Sequence, residues 1–345
     1  MSHSELKNKQ PALHLPRYFT AVLVICLVLL GLCIIASLVL GSKAVNGQAL
    51  IDGLFHPDIY SFEANIIRKR ISRTVFCLFC GAALGVAGAL MQSVTRNPLA
   101  DPSILGVNTG ASLFVVCGIA FLNINTANQY IGLALVGSAV TAVFVFGIGS
   151  MGRGGATPIK LVLAGAATSA ALSSLVTAIM IPRSYAMDQF RFWQVGSVGS
   201  GTWSGIGAFL PFLIIGVLVA FLTAPALNAL ALGDDVATGL GVRTGTLRLI
   251  AALAGVLLCG ATTALAGPIG FIGLLSTHLV RLILGPDLRL VIPMSAVSGA
   301  IILTISDVLG RLIGSPGELE VGVVTAFIGA PVLILLAKKA KVRSL

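Results

Sequence analysis

Charge is scarce in this sequence. Only 12 of its 345 residues are acidic and 22 are Lys or Arg, so 10% are charged where soluble domains carry roughly 25%. No Gly-x4-Gly-Lys-Ser/Thr loop occurs, so the chain does not cradle nucleotide phosphates in the P-loop manner. His-Glu-x-x-His and Gly-x-Ser-x-Gly are missing too, which removes two common hydrolytic chemistries. His278 is the one histidine within an apolar stretch and Asp307 the one clear acid, toward the outer end of its stretch. An intramembrane enzyme needs more polar machinery than this, and an ion-coupled carrier usually needs buried Asp, Glu or His relays. The net charge of +10 comes from short basic clusters between apolar blocks, without the long basic, aromatic-interleaved face that would point to nucleic acid.

What is abundant is apolar sequence. Residues of this kind make up 57% of the chain and mean hydropathy is +1.01. They fall into blocks of about 20, the length a helix needs to cross about 30 Å of hydrocarbon. Cutting at Gly, Pro and charge clusters predicts an all-α polytopic membrane protein with ten spans, 18–40, 74–94, 104–122, 129–149, 160–181, 204–226, 246–266, 269–285, 289–312 and 321–337. Residues 1–17 form a leader, 18–340 one transmembrane domain and 341–345 a tail. The first span is over 20 residues long and has no small-residue cleavage site before Gly41, so it reads as a retained helix. Ten spans place both termini on one face, and the excess of Lys and Arg makes that face cytoplasmic. Four basic residues at Arg68, Lys69, Arg70 and Arg73 oppose this rule from the outside, so something other than orientation requires them. The six cysteines all lie in apolar stretches; Cys77-x-x-Cys80 is mid-helix with no second pair, which suits packing better than metal or redox chemistry.

Glycine is plentiful, at 40 residues, and runs such as Gly81-x3-Gly85-x2-Gly88 predict close helix packing where lipid supplies no hydrophobic drive. Apolar segments interrupted by Gly or Pro occur in both halves, at 97–102 and 267–271, the pattern of a transporter built around a central pathway. Between spans, 228–242 alternates apolar positions at helical spacing with two acids and glycine breaks, and predicts two short helices at the cytoplasmic surface.

Five ordered motifs carry a resemblance over residues 18–340: Arg70 to Arg73; Gly81 to Gln92 with Asn97 to Ala111; Leu230 to Gly241; Gly267 to Leu274; and Glu318 to Pro331. They resemble the FecCD/vitamin B12-type permeases of ABC importers, which carry iron-siderophore complexes, haem or cobalamin. Arg96 to Asp101 and Asp188 to Gln194 are most similar to ferric enterobactin permeases, which favours a catecholate siderophore. Haem or cobalamin is the alternative cargo, and an ion-coupled secondary transporter the alternative mechanism. One departure is Thr277-His278, where the family usually has Pro-His before the Arg at 281.

The resemblance implies a type II importer permease fold, with a second copy or paralogous permease, two ABC ATPases carrying ATP and Mg, and an extracytoplasmic binding protein as partners. The setting it implies is a bacterial plasma membrane, the inner one in a Gram-negative cell. It implies no catalytic residue, cofactor or metal site in this chain, because iron travels inside its chelator. Arg70, Arg73 and Arg311 match outward arginines that pair with carboxylates of the binding protein, a task suited to a planar guanidinium; anchoring of helix ends is the simpler reading. Leu232, Gly233, Asp234, Asp235, Ala237, Leu240 and Gly241 match the ATPase-coupling segment, with the two acids at the amino end of its second helix. Gln92, Asn97, Pro98, Gly267, Pro268 and Phe271 match the pathway or its breaks. Phe192 and Trp193 match a short external gating helix within 190–201, although interfacial aromatics would look the same.

Overall fold

A computed structural model of the chain describes residues 18–342 apart from 44, 57, 59–60, 125 and 153–156, so the leader 1–17 and residues 343–345 lie outside it. In chain order its helices are α1 (Phe19–Val39), α2 (Gly47–Phe55), α3 (Phe62–Thr95), a 3-10 turn (Pro102–Leu105), α4 (Val107–Leu122), α5 (Ala127–Ser150) and α6 (Pro158–Met180). These are followed by α7 (Ser184–Gln194), α8 (Trp203–Ala231), α9 (Asp234–Gly239), α10 (Thr244–Ala266), α11 (Ile272–Leu284), α12 (Leu288–Ile313) and α13 (Val321–Val342). No strand occurs among the described residues. Seven helices are long and apolar enough to cross a membrane, α1, α3, α5, α6, α8, α10 and α12, and three shorter apolar ones, α4, α11 and α13, stand where the other spans were expected.

Local chemistry sets the helix ends. Ser61 accepts from the Ala64 N–H at 3.1 Å and starts α3; Thr202 accepts from Gly205 N–H at 3.2 Å and starts α8. Pro158 opens α6 at a position where its missing N–H has no intrahelical role. Gly267 (φ 72°) and Gly285 (φ 84°) stop α10 and α11 in backbone conformations that disfavour a Cβ.

Burial ranks the helices. In the apolar windows of α3 and α10, 78% and 72% of residues are buried, against 11% for α1 and 17% for α6, so the first pair is the centre and the second the rim. The glycine run of α3 makes this centre tight. A Cβ at Gly81 would stand 2.5 Å from the Gly299 carbonyl of α12, Gly85 backs onto the Ser295 carbonyl, and Gly88 onto the Gly273 carbonyl of α11. At the departure noted above, α11 is continuous and Thr277 donates its hydroxyl to the Gly85 carbonyl at 3.3 Å, holding α11 to α3.

Three expectations need correction. The second span starts at Phe62 rather than 74, because Ser61 caps it and Glu63 suits its first turn, so the basic cluster is helical. The segment 228–242 holds one short helix, α9; the expected first one is the end of α8. Five of the six residues from Ala226 to Ala231 are Ala or Leu, good helix formers, with no breaker before Gly233, and Leu227 and Leu230 are buried. The external helix spans 184–194 rather than 190–201, since Gly196 (φ 78°) lies beyond its end and 195–201 is not helical.

Candidate functional site

The residues singled out from sequence fall into three clusters. The first surrounds the carboxyl end of α1, where the last carbonyls of any helix lack intrahelical donors. Arg70 of α3 donates to the carbonyls of Leu38 (2.9 Å), Val39 (3.0 Å) and Lys43 (2.7 Å). Arg311 of α12 donates to those of Ser37 (2.9 Å) and Leu40 (3.1 Å), and to the Ser37 hydroxyl at 2.9 Å. Two arginines thereby cap one helix, where cations also oppose the negative end of its dipole. Arg70 is 7% and Arg311 2% exposed, so the outward orientation expected of them is corrected: both guanidinium groups point into the chain.

Arg73 sits beside them at the rim. It donates to Asp307 Oδ1 through Nε (3.1 Å) and Nη2 (2.7 Å), and to Glu318 Oε2 through Nη1 at 2.6 Å. Asp307 also lies 3.1 Å from Arg311 Nη2. The acids were not expected as partners; the one signal that could have found them was that Asp307 is the lone clear acid of its span. Arg68 donates to the His56 carbonyl at 2.8 Å. The basic cluster that opposes the positive-inside rule is thus in large part a set of internal tethers.

The second cluster is the break after α10. Gly267 leaves no room for a Cβ beside the Trp193 carbonyl, and Ser197 N–H donates to the Ala266 carbonyl at 2.6 Å. The Gly196 carbonyl, next to Pro268, accepts from Gly322 N–H of α13 at 3.0 Å. Phe271 precedes α11 with φ 69°, and its ring lies over Gly329 of α13. Trp193, Gly267, Pro268 and Phe271 are therefore brought together, while the side chain of Phe192 lies outside the described residues. Beside them a cavity of about 270 Å³ opens between α4, α6 and α7, lined by Thr109, Ser112, Ser173, Thr177, Arg191 and Gln194 among others. Its hydroxyl lining follows no sequence motif and was not anticipated.

Gln92, Asn97 and Pro98 belong elsewhere, at the far end of α3. Gln92 is 2% exposed and neither its Oε1 nor its Nε2 has a protein partner. Asn97 accepts from Leu99 N–H at 3.0 Å and shapes the turn after α3; Pro98 is exposed. Next to this turn is the third cluster, α9. Its first residue, Asp234, binds Arg96 and Arg248, the latter with Nη2 at 2.8 and 3.0 Å from the two carboxylate oxygens. Asp235, Leu232, Leu240 and Gly241 are exposed, Gly233 is half-buried at the helix start, and Ala237 is fully buried, so it packs inward and is no surface contact. Arg248 was expected only as a cytoplasmic charge; its pairing needs the fold.

The profile of the FecCD transport family matches residues 28–339. Among curated proteins the chain is similar to the ferric enterobactin transport system permease protein FepD of Escherichia coli, at 41% identity over 91% of this chain and 93% of that one. It is also similar to the Fe(3+)-citrate import system permease protein YfmD of Bacillus subtilis, at 41% identity over 87% of this chain and 90% of that one. A solved inward-facing structure, described as of a metal-chelate type ABC transporter, superposes with a TM-score of 0.79 at 25% identity, over 93% of this chain and 99% of that one. With a helical bundle of the same shape and a family match that spans nearly all of it, this chain belongs to the FecCD transport family.

Proposed function

We propose that this chain is the membrane-spanning permease subunit of an ATP-binding cassette importer that moves a ferric siderophore, of catecholate type, into the cytoplasm. The observation that carries the reading is the nearly full-length similarity to permeases of iron-chelate import systems. The exposed coupling segment of a chain without a P-loop supports it, because such a chain must receive its energy from another. Ferric citrate is the second reading, favoured by an identity to YfmD equal to that with FepD.

In this reading both termini are cytoplasmic and the membrane is a bacterial plasma membrane. Two permeases, a pair of copies or of related chains, enclose the pathway. Two ATPases, which hold ATP and Mg, dock on the outward residues Leu232, Asp235 and Leu240. An extracytoplasmic binding protein docks at the rim around Arg73, while Arg70 and Arg311 act from below by fixing α1. The break at Gly267, Pro268 and Phe271, packed on Trp193, is where the pathway opens and closes, with the hydroxyl-lined cavity facing an oxygen-rich cargo. Coupling requires that the ATP-bound and free ATPases contact α9 differently, since equal contact in both states shifts nothing.

The test is uptake of radioiron presented as a catecholate, a hydroxamate, citrate or haem, in cells with and without this chain, with vanadate or a protonophore added. Catecholate uptake that requires the chain and stops with vanadate is expected. Uptake that survives vanadate and collapses with the protonophore would sink the reading in favour of an ion-coupled carrier.

A further inference from the structure

The coupling segment is held to the bundle by very little. α9 has six residues, and Leu232, Val236 and Leu240, spaced four apart, are 68%, 48% and 65% exposed. Under it only Ala237 is buried. Gly233 (φ 119°) and Gly241 (φ 82°) bracket the helix, and a Cβ at either would meet nothing within 4 Å. Backbone conformation, not crowding, therefore demands glycine at both joints. A short rigid unit between two such joints, seated on one methyl group, is free to rock unless something else ties it.

Asp234 is that tie. Its Oδ1 accepts from Nη2 of both Arg96 and Arg248, and its Oδ2 accepts a second contact from Arg248 at 3.0 Å. Arg96 is the left-handed closing residue of α3 (φ 49°), and the same Nη2 donates to the Leu230 carbonyl at 2.6 Å, in the last turn of α8. Arg248 lies in the second turn of α10 with its side chain 8% exposed, so its pair with this carboxylate is made in a largely desolvated setting. The Asp234 side chain thus joins α9 to α3 and α10, and Arg96 links the same point to α8. The two arginines stand on the two most buried helices, α3 and α10. From Arg96, α3 runs unbroken for about 35 Å back to Arg73, and from Arg248, α10 runs about 29 Å to the break at Gly267, at 1.5 Å per residue.

We propose that Asp234 is a positioning residue that locks α9 to α3 and α10, so that a partner ATPase displacing α9 moves both central helices as a unit. This rests on the permease reading. Exposed ion pairs are usually weak, but this carboxylate is shared by two guanidinium groups, one of them buried, which strengthens it as a link between the segment and the core. Leu232 and Leu240 meet the partner; Asp234 passes the motion inward.

The experiment uses the whole complex, purified through a tag on this chain and reconstituted in liposomes with its ATPase and binding protein. Radioiron import, presented as catecholate, hydroxamate and citrate chelates in parallel, is measured together with ATP hydrolysis. Asp234→Asn is expected to raise the ATP consumed per chelate imported by about tenfold. Asp234→Glu, which keeps the charge, is expected to restore most of the coupling. Arg96→Gln, a second and more exposed position, should raise the ratio as well, and should add little on top of Asp234→Asn because the two act through one link. It also provides the readout if Asp234→Asn does not assemble. A ratio that stays at the wild-type value in Asp234→Asn or Arg96→Gln complexes, whether or not both rates fall together, overturns the proposal. A wild-type complex that imports chelate without ATP overturns the permease reading itself, and the clamp with it, which separates the two failures.

Discussion

Arg311 and Asp307 stand one turn apart on α12, each 2% exposed, with Nη2 of the arginine 3.1 Å from Oδ2 of the acid. Both are buried in the part of the fold where α1, α3 and α12 meet, and neither side chain reaches the surface. The arginine's other contacts are the Ser37 and Leu40 carbonyls and the Ser37 hydroxyl, so in this fold it ties the end of α1 to α12.

Arg311→Met is therefore expected to lower stability by about 3 kcal/mol or more, because it removes one of the two arginines that cap α1 and leaves Asp307 with Arg73 as its remaining partner. Thermal unfolding in detergent reads the stability, and titration with the binding protein reads docking, which should change little. Weaker docking at unchanged stability would restore an outward role for Arg311.

The two acids that hold Arg73 should behave differently. Asp307 is 2% exposed and Glu318 is 40% exposed at its side chain. Glu318→Gln is expected to cost under about 1 kcal/mol, an effect that salt reduces further. Asp307→Asn should cost several-fold more, since it removes the carboxylate beside the buried Arg311 and the half-buried Arg73, and about 3 kcal/mol is the expected scale. Unfolding midpoints at low and high salt check both. Equal effects would mean that burial does not set the strength of these pairs.

Gly85 and Gly132 offer a matched comparison in two helices. A Cβ at Gly85 runs into the Ser295 carbonyl, while one at Gly132 of α5 meets nothing within 4 Å. Gly85→Ala must push α3 from α12, and is expected to cost about 1–3 kcal/mol as overpacking does. Gly132→Ala should be neutral or stabilising by up to about 1 kcal/mol through helix propensity. Yield of folded protein and unfolding midpoint separate the two, and a tolerated Gly85→Ala would show that α3 and α12 can part at no cost.

Gln92 is buried with both amide atoms unpaired by protein groups. Leaving such a group unsatisfied costs about 1–3 kcal/mol, so Gln92→Met, of similar length, is expected to stabilise this conformation by about 1 kcal/mol. If the amide serves the open pathway, the same substitution slows chelate uptake. Unfolding and uptake measured on one variant test this directly. Lower stability with normal uptake would assign Gln92 to packing alone.

How far the sequence reaches depends on the range of the physics involved. Helices α1, α4, α5, α6, α8, α10, α11, α12 and α13 begin within a few residues of the expected spans, because length, hydropathy and glycine or proline breaks act locally. The start of α3 was misplaced because seven of its first twelve residues are polar or charged, four of them basic, yet they belong to the helix that Ser61 caps. Leu232, Asp235 and Leu240 were readable as surface because acids and glycine breaks interrupt the apolar spacing of 228–242, whereas Ala237 of the same segment points inward, which no local pattern shows.

The sequence alone determined that this chain is a many-span helical membrane protein with glycine-lined helix contacts and no nucleotide loop of its own, since each of these follows from composition or a continuous motif. Only the tertiary structure decided what the charges do. Arg70 with the Lys43 carbonyl, Arg73 with Glu318, and Asp234 with Arg96 are pairs separated by 27, 245 and 138 residues, and no local pattern encodes such partners. In a low-dielectric interior a charge must find its counterpart or a carbonyl wherever the packing of helices brings one within reach, and that is settled by how α1, α3, α10 and α12 assemble.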